Sequence, residues 1–562
     1  MKQSMRRFLI VQHKAGMRSV RAGWVLFRAH WARQVRFWLI ALMVGIASGF
    51  AALLFRKAIA ALERFAYGAG DMAHVHSAAE VLPWYWVLIV PILGGLAVGI
   101  ILHYFTPDAR ARTVTEVIEG AALYEGRVEG RAGLASIASS IITLGSGGSS
   151  GREGPVVHMA SVIASWVSNR IKADGVTGRD LLGCAVAAAV SASFNAPIAG
   201  ALFALEVVLR HFALHAFAPI VIASVAGTVI NRLEFGDVTE FALPAATALQ
   251  FYAELPAFLL LGVVCGLVAG ALMHSMLFAE DMASYFQRRV RMPRWLRPAA
   301  AGALLGLIAI WFPHIIGVGY ETTSRALTGS LLLHEAFVFA VVKVVAVAIT
   351  IGGRMGGGVF SPSLMVGALT GLAFGLIATG IFPDVSGAHT LYALAGMGAV
   401  AAAVLGAPIS TTLIVFELTG DWQTGLAVMV AVSISTALGA QLVHRSYFLT
   451  QLERRGVRLA AGPQAYLLAM FRARDVMRPL GSERGAPEDR CWEMIEEGTY
   501  IDGSATLESV MPGFERSGSA YIPVVSLSGA GAPPELLGAL FHVDALRTYN
   551  RALAAVSHEE HS

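Results

Sequence analysis

The stretch Leu144-Gly145-Ser146-Gly147-Gly148-Ser149-Ser150-Gly151-Arg152-Glu153-Gly154-Pro155 puts small residues, one cation and one acid ahead of an apolar run. Glycines let backbone N–H groups converge. A helix that starts here presents unpaired donors and the positive end of its dipole. Such an N-terminus binds anions. A second stretch, Gly356-Gly357-Gly358-Val359-Phe360-Ser361-Pro362, has the same character and also precedes an apolar run. Two helix N-termini aimed at one point can replace the hydration of a small anion, whereas a bare lysine would hold it too tightly for release. Glu153 is the acid inside the first loop. Its carboxylate is itself an anion, so it can occupy the site in place of a permeating ion. Protonation removes that charge and releases the site. The plainer alternative is that Glu153 pairs with Arg152 to close the loop.

A site of this kind needs dry surroundings, and the composition provides them. Of 562 residues, 56% are hydrophobic and 14% charged, against about 25% charged in a soluble domain. The mean hydropathy is +0.63, so a bilayer is the expected solvent. The net charge of +4 is small, and no basic stripe is interleaved with aromatic residues, which argues against a nucleic-acid partner. Cys184, Cys265 and Cys491 are far apart and form no CxxC, so neither a metal site nor a disulfide framework is expected. His211 and His215 stand at i,i+4 spacing without the acid of an HExxH motif and are read as packing or interfacial residues. Gly147-Gly148-Ser149-Ser150-Gly151 matches the GxSxG nucleophile elbow, with His158 nearby, but such an elbow needs a preceding parallel strand. Neither enzyme activity nor a cofactor is expected.

The elements that must position the two loops are legible as apolar runs. They begin at Phe37 to Phe55 and recur over about 85–105, 134–144, 155–168, 181–209, 217–231, 255–278, 298–317, 330–351, 364–382, 389–418 and 425–443. Several fall short of the roughly 20 residues that span a hydrocarbon core. Many are broken by Gly and Pro, and broken helices are tolerated at membrane depth where they line a buried or aqueous site. There is also an internal repeat. Asn195-Ala196-Pro197-Ile198 leads to Glu206, and Gly406-Ala407-Pro408-Ile409 leads to Glu417, each acid nine positions after its proline. Thr143, Gly145, Gly151 and Pro155 match Thr350, Gly352, Gly358 and Pro362 at a constant offset of 207. This is the pattern of a repeat-built transporter. Residues 1–36 are basic and read as an amphipathic segment on the cytoplasmic surface, without the features of a cleaved signal peptide. Residues 457–562 have ordinary polar composition and read as a small soluble α+β domain. It has a strand over Ala520–Val525 and helices over 505–515 and 543–556.

Gly151-Arg152-Glu153-Gly154-Pro155 and Gly358-Val359-Phe360-Ser361-Pro362 resemble two signature motifs of the CLC family of chloride channels and chloride/proton antiporters, in its bacterial branch. Asn195-Ala196-Pro197, with Phe203 and Glu206, is similar to the same family. The resemblance covers residues 37–456. It implies an all-α polytopic membrane fold of two inverted repeats of broken and tilted helices. It also implies a homodimer with one pore per subunit, both termini in the cytoplasm, and a place in the inner (plasma) membrane. Chloride is the implied ligand. Glu153 becomes the gating residue, and Gly151, Arg152, Gly154 and the amides of Val359 and Phe360 the anion-binding groups. Gly147, Pro155, Gly358 and Pro362 hold the motifs in shape.

Three departures from the family accompany the resemblance. Where its serine-bearing loop should precede Glu116, the chain reads Ala111-Arg112-Thr113-Val114-Thr115, leaving Thr113 or Arg112 near the anion. The pore tyrosine position falls on Phe448, beside Tyr447. The second acid of the antiporter pair is replaced, since Glu206 is followed by Val207. The expected function is therefore voltage- or pH-gated, channel-like chloride transport, with chloride/proton antiport as the alternative. The C-terminal segment resembles a single CBS motif, from Asp475-Val476-Met477 to Gly538–Asp544. Phe541 stands where nucleotide-binding versions carry a Ser or Thr, so the expected role is bracing a dimer and not binding adenine nucleotide.

Overall fold

The apolar runs form helices, and their Gly/Pro interruptions divide them. The computed structural model of the chain describes residues 2–69, 74–212, 214–236, 241–243, 254–383, 386–457, 459, 467–468, 471–482, 484–526 and 534–560. Side chains of residues 1–33 lie outside the described set, and with them the amphipathic face expected of the basic N-terminal segment.

The first half comprises α1 (Lys2–Tyr67), α2 (Val75–Glu80), α3 (Trp84–Phe105), α4 (Val114–Leu123), α5 (Gly130–Gly145), α6 (Glu153–Ile171), α7 (Gly175–Phe194), α8 (Pro197–Phe203) and α9 (Leu214–Phe235). The second half comprises α10 (Leu255–Arg289), α11 (Arg297–Ala309), α12 (Tyr320–Leu327), α13 (Leu333–Gly352), α14 (Phe360–Ile381), α15 (His389–Leu405), α16 (Pro408–Thr419), α17 (Trp422–Val443) and α18 (Tyr447–Arg454). Among the described residues, seven helical stretches are long and apolar enough to cross a membrane, while α15, α16 and the α8 stretch are apolar but shorter. The chain is a multi-pass membrane protein.

The centre of the molecule is α7 and α15, buried from Gly178 to Phe194 and from Thr390 to Leu405. Both are rich in alanine, which lets neighbouring backbones approach. Helices α14 and α15 approach closely, and a Cβ on Gly371 would lie 2.1 Å from the Tyr392 carbonyl oxygen. The apolar runs over 181–209 and 389–418 are each broken once, in matching ways. Asn195 (φ 58°) ends α7 and Gly406 (φ 68°) ends α15 in the left-handed conformation, after which Pro197 and Pro408 open α8 and α16.

The two halves then cap one another. Glu206 sits in a π-helical turn (Ala204–Leu209) that continues α8. Its carboxylate accepts the amides of Ile409 and Ser410 at 3.0 and 2.8 Å. Glu417 near the end of α16 accepts the amides of Ile198 and Ala199, also at 3.0 and 2.8 Å. Each carboxylate satisfies the orphan donors at the start of the partner half's helix and complements its dipole.

Beyond α18, β1 (Arg478–Pro479), β2 (Ile501–Asp502), β3 (Tyr521–Ser526) and β4 (Glu535–Phe541) form one sheet in the order β1-β4-β3-β2. Strand β3 pairs antiparallel with β4 and parallel with β2. Helices Leu507–Ser517 and His542–Glu560 lie where helices were expected and cover the sheet. The small core holds Val510, Phe514, Ile522 and Leu540. This unit docks on the membrane domain through an ion pair between Arg472 and Glu125.

Candidate functional site

The two glycine loops meet. The Gly151 amide donates to the Gly358 carbonyl and the Gly358 amide to the Gly151 carbonyl, both at 2.7 Å. This two-bond bridge holds the starts of α6 and α14 together. Glycine is required at the contact, since a Cβ on Gly358 would lie 2.9 Å from the Gly154 nitrogen. Gly147 turns at φ 102° against the Tyr67 hydroxyl, which itself donates to the Ser146 carbonyl at 2.9 Å. Pro155 and Pro362 each occupy the first turn of their helix, where a missing N–H costs nothing.

Glu153 opens α6 and is buried, with its carboxylate lying on the N-terminus of α14. One oxygen accepts the Ser361 hydroxyl at 2.5 Å and the Tyr320 hydroxyl at 3.3 Å. The other accepts the Ser361 amide at 3.3 Å. The carboxylate thus lies where the N-termini of α6 and α14 meet. Arg152 is 3.8 Å from Glu153. It also donates to the Ser193 carbonyl at 2.8 Å and lies over the Tyr320 ring. It braces the loop from behind and does not line the cavity below Glu153.

That cavity, about 70 Å³, is lined by Thr113, Gly154, Gly358, Val359, Phe360 and Phe448 among others. It brings together groups from both halves, as the motifs require. Arg110, Arg354 and Arg455 supply positive charge along its wall, with Glu280 among them. Thr113 stands at the start of α4, where Glu116 folds back onto its amide at 2.6 Å in a capping box. Glu116 also accepts from Arg455 at 2.5 Å, which ties α4 to α18. Gln451 bridges further, accepting from Thr115 at 2.9 Å and donating to the Tyr447 hydroxyl at 2.7 Å. Both Tyr447 and Phe448 reach the cavity. Arg112 points away to Asp108, at 2.9 Å.

Sequence reasoning missed Ser361 as a direct partner of Glu153, although it lies inside the quoted motif. Tyr320 was missed too. Its only local signal is the Gly317-Val318-Gly319 run before it. Despite their i,i+4 spacing, His211 and His215 do not share a helix. His211 precedes α9 and contacts the Leu209 carbonyl at 2.9 Å, whereas His215 approaches Asp180 at 3.5 Å.

Comparison with known proteins follows the same lines. Residues 94–440 match the family model described as voltage gated chloride channel. A ClcB-like chloride channel protein from Ralstonia nicotianae is 32% identical over 396 residues, covering 70% of this chain and 91% of that protein. The voltage-gated ClC-type chloride channel ClcB of Escherichia coli is 30% identical over 421 residues, covering 74% and 97%. Among solved structures, a slow cyanobacterial Cl-/H+ antiporter superposes with a TM-score of 0.66 at 21% identity, covering 75% of this chain and 98% of that one. A eukaryotic CLC transporter superposes with a TM-score of 0.64 at 17% identity, covering 91% and 98%.

Proposed function

The chain belongs to the voltage-gated chloride channel family, and on that premise we propose that it conducts chloride through a pore gated by protonation of Glu153. The observation that carries this reading is the Glu153 carboxylate on the α14 N-terminus, held by the Ser361 amide and hydroxyl. An anion bound there competes with the carboxylate. Protonation turns an acceptor-only group into one that no longer needs the helix dipole, and the side chain leaves. The mode is passive and channel-like. Val207 cannot carry a proton, and Glu206 is engaged by two α16 amides. The second reading, chloride/proton antiport, draws support from an acid-lined vestibule on the side of the C-terminal domain.

The active form in this reading is a homodimer with one pore per subunit. The N-termini of α8 and α16 show Ile198 and Ile409 about half exposed beside the Glu417 and Glu206 carboxylates. Carboxylates on a lipid-facing surface are costly, whereas a second copy would cover them. The basic N-terminal residues favour a cytoplasmic start, and the C-terminal domain, CBS-like in pattern, braces the dimer from that side.

The test is chloride efflux from proteoliposomes under a potassium–valinomycin shunt, with external pH recorded. Wild-type flux should rise on acidification, and Glu153→Gln should be open and nearly pH-independent, raising flux at alkaline pH by about tenfold or more. A Glu153→Gln protein with the wild-type pH profile overturns the gate. Uphill proton movement in fixed ratio to a chloride gradient replaces the channel with the antiporter.

A further inference from the structure

Helix α10 runs for 35 residues, well past the roughly 20 that span a hydrocarbon core, so one end projects into the headgroup layer. That end lies on the side of the C-terminal domain, since Asp281 pairs with Arg454 of α18. From Met282 to Tyr320 the chain holds no aspartate or glutamate, yet Arg288, Arg289, Arg291, Arg294 and Arg297 follow in close succession. Arg297 is buried and fully engaged. Its Nε donates to the Gly352 carbonyl at 2.8 Å, and its other nitrogens reach Ser284, Gln287 and the Glu280 carbonyl at 3.0, 3.1 and 3.1 Å. The other four are exposed, and none of them forms an ion pair among the described residues. The acids nearest in sequence are already taken, Glu280 by Arg110 at 3.2 Å and Asp281 by Arg454.

The turn that carries these arginines is braced. The Met292 amide donates to the Gln287 carbonyl at 2.9 Å, and the Gln287 side chain donates back to the Met292 carbonyl at 3.4 Å. Arg291 sits at φ 54°, in the left-handed region where glycine is the default. Helix α3 presses on the next turn so closely that a Cβ on Gly99 would lie 1.8 Å from the Trp295 carbonyl oxygen. Arg294 is also near enough to Arg354 for the two cations to repel. Like charges held this close call for an anion from outside the chain. Tyr285, Phe286 and Trp295 are exposed beside them. Aromatic rings among arginines, directly after a membrane-crossing helix, suit the boundary between acyl chains and headgroups. The anions present at that depth are lipid phosphates, which favours a membrane ligand over a soluble one.

We infer that the turn between α10 and α11 binds the phosphate headgroups of anionic lipids, in the leaflet on the side of the C-terminal domain. Each guanidinium offers a phosphate two parallel N–H donors, and the rings anchor in the layer beneath. The inference does not depend on the reading of Glu153 as the gate. Arg297 gives the docking a consequence further in. It joins this turn to the last carbonyl of α13, just ahead of the second glycine loop, and to the backbone of Glu280, whose residue lines the anion cavity. A headgroup that neutralises the turn steadies the support of that loop.

Native mass spectrometry of the full-length protein in detergent, titrated with phosphatidylglycerol or with phosphatidylcholine, counts bound lipids and gives their affinities. The wild type should bind the anionic lipid about tenfold or more tighter than the zwitterionic one. Arg291→Gln with Arg294→Gln should weaken phosphatidylglycerol about twentyfold, at about fivefold per arginine, and leave phosphatidylcholine unchanged. Each single variant should lose about fivefold, which keeps the test open if the double variant does not insert. Arg490→Gln with Arg547→Gln removes the same charge from exposed positions of the C-terminal domain and should leave phosphatidylglycerol affinity unchanged. Wild-type phosphatidylglycerol affinity in the Arg291 and Arg294 variants overturns the surface. An equal loss in the Arg490 and Arg547 control overturns it too, since net charge alone would then explain the binding. Inorganic phosphate should not displace the lipid. Displacement by phosphate would mean that the turn reads a free anion and would overturn the membrane as its partner.

Discussion

At the offset of 207, Gly151 corresponds to Gly358, Pro155 to Pro362 and Thr143 to Thr350, yet Glu153 corresponds to Phe360 and Arg152 to Val359. The backbones of the two loops are bridged as equals. Their first helical residues are not. The first half contributes a titratable anion, and the second contributes an N-terminus to receive it, with the Phe360 ring packed 4.8 Å from Phe194 and 5.7 Å from Phe203. The other repeated acids behave differently. Glu206 and Glu417 keep the same spacing and do the same job, each capping the opposite half's helix. The repeat is retained where the two acids cap helices and broken at the residue proposed as the gate.

The largest test of this contrast is at the receiving end. Ser361→Ala removes a charge-assisted hydrogen bond of roughly 1.5–3 kcal/mol from the held carboxylate. The closed state weakens, so less acid is needed to open the pore. The midpoint of the pH–flux curve should move toward alkaline pH by about one unit or more. A midpoint that does not move, or moves to acid, would mean that Ser361 does not hold the gate.

A smaller shift of the same sign is expected from Tyr320→Phe. The hydroxyl is at 3.3 Å, and the ring contact with Phe241 at 5.3 Å survives the change. A charge-assisted hydrogen bond stretched to 3.3 Å is weaker than the 2.5 Å bond of Ser361, which predicts an alkaline shift of about half a pH unit, below that of Ser361→Ala. The reverse ranking would place Tyr320 at the centre of the latch.

The smallest effect on transport should come from the symmetric pair. Glu206→Gln and Glu417→Gln each weaken a helix cap, at about 0.5–2 kcal/mol, and should lower the thermal unfolding midpoint in detergent while the pH–flux curve stays in place. Glu206→Gln should be the more costly, because Glu206 also accepts the Ser410 hydroxyl at 2.5 Å and Glu417 faces Ala199 instead. A shifted pH curve in either variant would make that acid part of the gate.

Much of this was readable from residue types. The long runs, the breaks before Pro197 and Pro408, the paired loops and the place of Glu153 all follow from glycine, proline and apolar spacing. The short helices α4, α12 and α18 did not, and they carry Thr113 at its cap, Tyr320, Tyr447 and Phe448. Each has eight to ten residues, too few to mark a membrane span, and their Glu, Thr, Arg and Gln residues hide them among loops. Tyr320 meets Glu153 across 167 positions, a distance no local pattern encodes. For Glu206 the spacing was legible but the partner was not. It was weighed as a neighbour of Val207, whereas its carboxylate is spent on α16.

The two bonds between Gly151 and Gly358 also bear on how fast and how cold the pore can work. A carrier that exposes its site by rocking one half against the other waits for collective motions of microseconds to milliseconds. Here the halves are bridged at the site itself, and in the proposed gate the moving part is a single side chain, which hops between rotamers in picoseconds to nanoseconds when unhindered. Opening then has the activation enthalpy of a few hydrogen bonds, not of a domain rotation. Chilling the membrane, or stiffening its lipids, should slow such a pore far less than it slows a rocking carrier.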